Sequence, residues 1–398
     1  MRYDRRGFLA ATGGASLVVM LAACGGGGQD GSATTAADAT AAAAPAAPSY
    51  DPATEPDGPI EIFTWAGWED DEALGSPWVW TGYRDGPYAA TSPLAFSFLE
   101  NDPQALAKVA SGYRPDVVHP CVNWVRQWHE AGLIMPLDTT LLPDFAGVPA
   151  EFLAGGVFDG LPYFMPFDVG FSTLIYDAEA VDFDEVGGQE TYRILLDDRY
   201  RGKMSFFSDP IGIILTSFQM NEGAVDPFVI DTAQIAAAKE TALTWKANLR
   251  NYWTAQNDTV NDFVNGNVVI TQGWPDMYWR IVNHPKMKGR DIRFMQPAEG
   301  RGVFVCGLVL IAGTERPGRA MLAMASANRP EVGADLTDYY QYASAQQDGV
   351  VELIDDQALI SLFELDNPAA WVPPLAWPDR ALPNQREVQL AGEEVKAG

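Results

Sequence analysis

Short apolar runs alternate along this chain with stretches of helical pattern, and that alternation restricts the fold more than any single motif. Ile60 to Trp65 reads as a strand. Asn101-Asp102-Pro103 opens a helix, with a capping side chain and Pro in the first turn, and Gly112 closes it. Pro115 to His119 reads as the next strand, and Trp124 to Ala131 as a helix stopped by Gly132. Lys203 to Ser208 is a strand running into Asp209-Pro210, another helix start. Thr232 to Arg250 is a long Ala-rich helix and Asn257 to Val264 a short one. Val268 to Thr271 is a strand ending at Gln272-Gly273-Trp274, Val303 to Ile311 is a strongly apolar strand, and Arg319 to Ala327 starts a further helix. Strands separated by helices indicate parallel α/β sheets. Ligands of such sheets gather beyond the C-terminal strand ends. Trp65, Cys121, Asp209 and Trp274 all fall at such ends.

The first 24 residues carry an export pattern. A twin arginine, Arg5-Arg6, precedes a weakly apolar stretch that is broken by Gly13 and Gly14 and closed by small residues. Phe8 to Ala23 is too short to span a bilayer, which takes about 20 residues, so it reads as a removed segment. Leu21-Ala22-Ala23-Cys24 resembles a bacterial lipobox, which implies cleavage before Cys24 and its acylation. Two or more acyl chains anchor a protein stably. The expected location is therefore the periplasm or cell envelope, with lipid anchoring to the cytoplasmic membrane. Residues 24–58, rich in Gly, Ala, Thr, Asp and Pro, read as a disordered tether.

Without residues 1–23 the chain keeps 375 residues and a net charge of −29. That length suggests two domains. The charge argues against nucleic acid as a partner, since phosphate binding needs basic patches. It favours encounter with cations, and equally serves solubility alone. Cys121 and Cys306 could pair in an oxidising compartment. Each also lies in an apolar run, where a free cysteine packs as a small hydrophobe, and the sequence favours this unpaired reading because it does not carry the geometry a disulfide needs.

Signatures of covalent chemistry are missing. There is no phosphate-cradling loop and no Gly-x-Ser-x-Gly elbow. His119, His129 and His284 do not fall at metal-ligand spacing and read as structural or surface residues. Asp182-Phe183-Asp184-Glu185 imitates the start of a calcium loop, but Val186 and Arg193 stand where ligands are needed. Tyr339-Tyr340 reads as helix packing rather than a ferric site. No cofactor, no metal and no enzymatic activity are expected.

From about Pro59 onward the chain resembles the periplasmic solute receptors of ABC importers, most closely the spermidine/putrescine-binding branch. The resemblance rests on ordered short segments: Ile60 to Trp65, Arg114-Pro115-Asp116-Val117-Val118-His119-Pro120, Ala131-Gly132-Leu133-Ile134-Met135-Pro136-Leu137-Asp138, Tyr163 to Phe167, Tyr200-Arg201-Gly202-Lys203-Met204, Phe263 to Val268, and the closing Val395 to Gly398. It implies a two-lobed α/β periplasmic binding-protein fold, type II-like, with two parallel-type sheets flanked by helices around a hinge and central cleft. The implied lobes are 59–170 plus 277–314 and 171–276 plus 315–398, with hinges near Gly170 and Trp274–Tyr278. Closure around the solute would follow, and a permease would recognise the closed form.

The branch holds ammonium groups between aromatic faces and carboxylates, a chemistry suited to cations. By position the resemblance implies ligand contacts from Trp65, Trp68, Asn123, Asp209, Trp274, Asp276, Tyr342 and Gln346. Departures are equally specific. Cys121 and Asn123 stand where the branch offers Ser and Tyr, Gly212 where a second acid is expected, and Val305 and Gly307 replace an aromatic and an acid. One amine anchor is thus retained and the second thinned. The expected function is a lipid-anchored receptor delivering a small cationic or polyamine-like solute to an ABC permease. The alternatives are a receptor of the same fold for sugar or ferric ion, which Trp stacking with carboxylates also suits, and a surface hydrolase using paired acids such as Asp209 and Asp276.

Overall fold

In the computed structural model, residues 46–69 and 79–398 are described. The export segment, Cys24 and the first part of the tether lie outside the described residues. The strands are β1 (Ile60–Trp65), β2 (Leu94–Leu99), β3 (Val117–Val118), β4 (Ile134–Met135), β5 (Val157–Phe158), β6 (Leu161–Pro162), β7 (Met165–Asp177), β8 (Met204–Phe207), β9 (Leu249–Trp253), β10 (Ile270–Gly273), β11 (Ile292–Phe294), β12 (Arg301–Ile311), β13 (Ala343–Ser344) and β14 (Ala376–Pro378). The helices are α1 (Thr81–Arg84), α2 (Asp102–Ala110), α3 (Val122–Glu130), α4 (Ala150–Leu153), α5 (Pro210–Glu222), α6 (Thr232–Lys246), α7 (Gln256–Val264), α8 (Pro275–Val282), α9 (Pro317–Ala327), α10 (Pro330–Asp335), α11 (Gln357–Phe363) and α12 (Gln385–Ala397).

While β5 and β6 form a small sheet of their own, twelve strands join in one sheet, its path running β2-β1-β3-β12-β7-β10-β8-β9 with β4, β11, β13 and β14 beside it. Its two ends are parallel: β1 pairs with β2 and β3, and β8 with β9 and β10. Its middle is antiparallel, because the long strands β7 and β12 run against each other from Gly302–Ser172 to Leu308–Met165. The alternation of strands and helices therefore does build parallel sheet, once at each end. The join is β7, which the sequence pattern did not reveal. Twelve of its 13 residues are fully buried, so the strand has no polar face and no period to read.

Local signals behave as expected at several starts. Asn101 accepts the backbone N–H of Gln104 at 3.0 Å and caps α2. Asp209 caps α5. Asp231 and Gln234 form a capping box at α6. The long helix expected through Arg250 stops at Lys246, and Leu249 enters β9 beside β8. Register with β8 outweighs helix propensity there.

Three expectations are corrected by packing. First, Cys121 and Cys306 are joined by a disulfide. Their runs are apolar because both lie at the junction of β3 with β12, where burial and pairing coincide. Second, the tether ends before Tyr50. Tyr50 donates to the Pro136 carbonyl at 2.8 Å, and Glu55 accepts the N–H groups of Gly318 and Arg319 at the start of α9. Third, the stretch 315–398 is divided. Ala320, Met321 and Met324 of α9 share a core with Ile60, Ile62 and Trp80 of the first half, whereas Trp377, Val388 and Val395 share one with Met204, Phe206 and Ile213 of the second. Helix α8 packs with α7 and β11, so 277–282 belongs to the second half as well.

Glycine is required where β7 and β12 cross. A Cβ on Gly170 would lie 2.5 Å from the ring of Phe304, and one on Gly307 would lie 2.2 Å from the Met165 carbonyl oxygen. The second obstacle is backbone and cannot rotate away. Gly307→Ala should therefore cost about 1–3 kcal/mol of stability by overpacking, read as a lowered denaturation midpoint with an unchanged slope. An unaltered midpoint would contradict this packing.

Candidate functional site

One face of the crossing pair is open while the rest is sealed. Of the residues of β7 only Ser172 is partly exposed, and of those of β12 only Gly302 and Phe304. Ser172 is the register partner of Gly302, and Phe304 of Gly170, so these four side-chain positions share one face. β13 adds Tyr342 one residue before its pairing of Ala343 with Val169. β14 adds Asp379 one residue past its pairing of Pro378 with Val303. β10 adds Trp274 one residue past its pairing of Gly273 with Thr173. A row Tyr342–Gly170–Phe304–Asp379 thus crosses four strands, with Trp274–Ser172–Gly302 beside it.

Aromatic side chains dominate one end of this face. Trp68 stacks on Tyr340 at 5.0 Å between ring centres and on Tyr342 at 6.3 Å. Tyr342 meets Phe304 edge-on at 5.3 Å. Behind Trp68, His119 stands edge-on at 5.3 Å. His119 bridges Thr64 Oγ1 at 3.0 Å and Asp168 Oδ1 at 2.8 Å, and all three are buried. This imidazole is a structural strut between β3 and β7. A second aromatic group surrounds Trp274, with Phe207 at 5.0 Å and Trp253 at 5.2 Å.

Carboxylates occupy the other end. Asp209 accepts the backbone N–H groups of Gly212 at 2.8 Å and Ile211 at 3.2 Å. Burial raises its pKa despite those bonds and the nearby Lys396. Asp379 is pushed up to about 7, first by burial and next by the charge of Asp209, with Arg380 opposing. The charge of Asp209 thus reaches Asp379 in poor solvent, and a proton or cation there relieves the repulsion. Asp102, beneath the disulfide, is also pushed up to about 7 by burial, although it accepts the Cys121 N–H at 3.0 Å.

These raised values set a pH dependence. A carboxyl that is more basic folded than unfolded binds its proton mainly in the folded state, so its contribution to stability grows as pH falls from about 7 toward 4. The ligand-free protein should gain stability when pH is lowered from 8 to 6, and Asp379→Asn should flatten part of that rise. Chemical denaturation at both pH values checks it; a pH-independent midpoint would refute it.

The eight expected residues do not converge on one point. Trp68 and Tyr342 meet, Trp274 lies beside Ser172 in the neighbouring row, and Asp209 caps α5, its charge reaching Asp379. Asp276 is buried in the first turn of α8 and accepts from Gln256 at 3.3 Å. Trp65 ends β1 and packs between two cores. Asn123, in the first turn of α3, and Gln346, under Gly147, each keep a buried oxygen without a hydrogen-bond partner. Sequence reasoning missed Ser172, Phe304, Tyr340 and Asp379. The alternation 302, 304 in β12 was available as a signal, but Asp379 reaches the face only through the parallel pairing of β14.

Two surface cavities, of about 560 and 240 Å³, contain none of the eight residues. The first is a groove beside Asp197 and Arg199, the second a hollow between His129, Phe158 and Arg380. Among the described residues no group of three or more His, Cys, Asp or Glu is placed to hold a metal ion, and no helix is long and apolar enough to cross a membrane.

Residues 100–355 match the bacterial extracellular solute-binding protein family. The chain belongs to that family. As a solute-binding protein it is 23% identical over 270 residues to the putrescine-binding periplasmic protein PotF of Escherichia coli, a match covering 65% of this chain and 70% of that one. Its fold is that of the periplasmic binding proteins. It superposes on the TpPotD lipoprotein of Treponema pallidum with a TM-score of 0.67 at 12% identity, covering 85% of this chain and all of that one. Superposition on the spermidine/putrescine-binding protein PotD of Streptococcus pneumoniae gives 0.66 at 13% identity, covering 85% and 99%. This solute-binding protein therefore keeps the fold at a sequence distance where ligand contacts are free to change.

Proposed function

We propose that this solute-binding protein captures a small amine-bearing cation on the open face of the β7–β12 crossing and delivers it to an ABC permease. The observation that carries the reading is Asp379, whose N–H donates to the Val303 carbonyl and which so sits beside the partly exposed Phe304, with the charge of Asp209 close enough to act on it. An ammonium, like a proton, relieves the repulsion of carboxylates in poor solvent, and an aromatic face adds about 0.5–2 kcal/mol. The named polyamine-binding relative supports the same class. No covalent step is proposed. Cys24, lying outside the described residues, is proposed as the lipid attachment that keeps the receptor at the membrane; failure of a fatty-acid probe to label the wild-type chain would remove it.

The two halves are proposed to act as lobes that move about the crossing strands. Gly170 and Gly302 are the pivot positions, since α8 is held by α7 and β11 on one side and, through Trp279, by the first-half core on the other. Ligand would populate the closed arrangement through its higher affinity for it.

A thermal-shift screen of amines, amino acids, sugars and ferric ion tests the reading. A ligand at one hundred times its Kd adds about 2.7 kcal/mol, so an amine should raise the midpoint clearly. Asp209→Asn or Asp379→Asn should weaken it roughly 10- to 100-fold, the value of a charged hydrogen bond. Binding should also decline below about pH 7 as Asp379 takes up its proton. If carbohydrate or iron alone shifts the midpoint, the amine reading fails.

A further inference from the structure

The open face has a second end, and its chemistry differs from the acidic one. Ser172 Oγ accepts a hydrogen bond from Gln272 Nε2 at 2.7 Å, so the serine hydroxyl hydrogen is left to donate. Gln272 is only 6% exposed, and its Oε1 has no hydrogen-bond partner. A buried acceptor left unpaired costs about 1–3 kcal/mol and calls for an explanation. Here it lies next to a neutral donor on the same open face. One donor and one acceptor side by side match a hydroxyl or a carboxamide, each of which both gives and takes a hydrogen bond.

The carboxylates near this end are already engaged. Asp168 is bound to His119 and Asp276 to Gln256. Between the two ends, Gly302 leaves the ground above Ser172 free of any side chain, and Phe304 walls it. Ser172 on β7 and Asp379, one residue past β14, are separated by β12 and offset by the two residues from Gly302 to Phe304, about 12 Å in all. A four-carbon chain with hydrogen bonds at both ends covers that span.

We propose that the site selects a monoamine with an uncharged hydrogen-bonding tail, its ammonium at Asp209–Asp379 and its hydroxyl or carboxamide at Ser172–Gln272, in preference to a diamine. The proposal rests on the amine reading above and narrows it. A second ammonium could donate to the Gln272 oxygen, but it would bury a charge without a counter-charge and leave the serine hydrogen unused.

The test is calorimetric titration of the folded chain with 4-amino-1-butanol, 1,4-diaminobutane and butylamine. The amino alcohol should bind at least about tenfold tighter than the other two, as is usual when a site's polar groups are matched or left unpaired. Ser172→Ala should erase that advantage, costing the amino alcohol about tenfold more affinity than butylamine, with a lowered midpoint but a cooperative transition showing that the chain still folds. Tighter binding of the diamine overturns the inference while the amine reading stands. Equal loss of butylamine affinity in Ser172→Ala overturns it too. Failure of all three amines to bind removes both readings.

Discussion

Replacing Cys121 and Cys306 together by serine should lower the unfolding free energy by about 5 kcal/mol, the loop-entropy value for a closure of this length. The two cysteines are 185 positions apart in the chain, so the bridge removes a large part of the unfolded ensemble. It also ties the N-cap of α3 to β12 at the point where that strand's register with β7 shifts, two residues from Phe304. The double variant should match reduced wild type in its denaturant midpoint, and both should lie well below the oxidised protein. Ligand affinity should fall as well, because the face that carries Phe304 and Ser172 loses its covalent fastening. A midpoint that does not respond to reduction would contradict the assignment.

Arg319→Met should destabilise the fold by about 3–5 kcal/mol, the usual cost of leaving the partners of a buried charge without it. This guanidinium is 4% exposed and donates to the carbonyls of Pro52, Glu55 and Pro56, to Asp57 and to Ser92 Oγ. It holds the segment 50–58 against α9, whose first N–H groups are capped by Glu55. With Arg319 gone, that strap has three carbonyls to satisfy from water and should peel away. Limited proteolysis should then cut between Tyr50 and Pro59, sites that the wild type protects. Glu55→Gln should cost less, since an amide oxygen still caps α9. Protection retained in Arg319→Met would show that the strap is held by other contacts.

Both effects come from residues whose sequence context pointed elsewhere. Cysteines in apolar runs read as buried thiols, and Arg319 was legible only as the first residue of a helix pattern. The partners that change those readings lie 185 positions away for Cys121 and more than 220 away for every contact of Arg319. The site shows the same division. Asp209 and Trp274 were singled out because they follow strand ends, and Trp68 through the family resemblance. Asp379, Ser172 and Phe304 were not, because no local pattern says which face of a central strand will be left uncovered.

Local periodicity and punctuation determined where most strands and helices start, which capping residues open them, and the class of fold that alternating elements must build. Those signals act over a few residues, through backbone hydrogen bonds and side-chain spacing. Only the tertiary structure decided that one ladder joins both halves, that Cys121 meets Cys306, that α9 turns back to the first half, and that one face of the β7–β12 crossing stays open. Each of these depends on register between segments far apart in the chain. A shift of one residue in that register would exchange the open face for the sealed one.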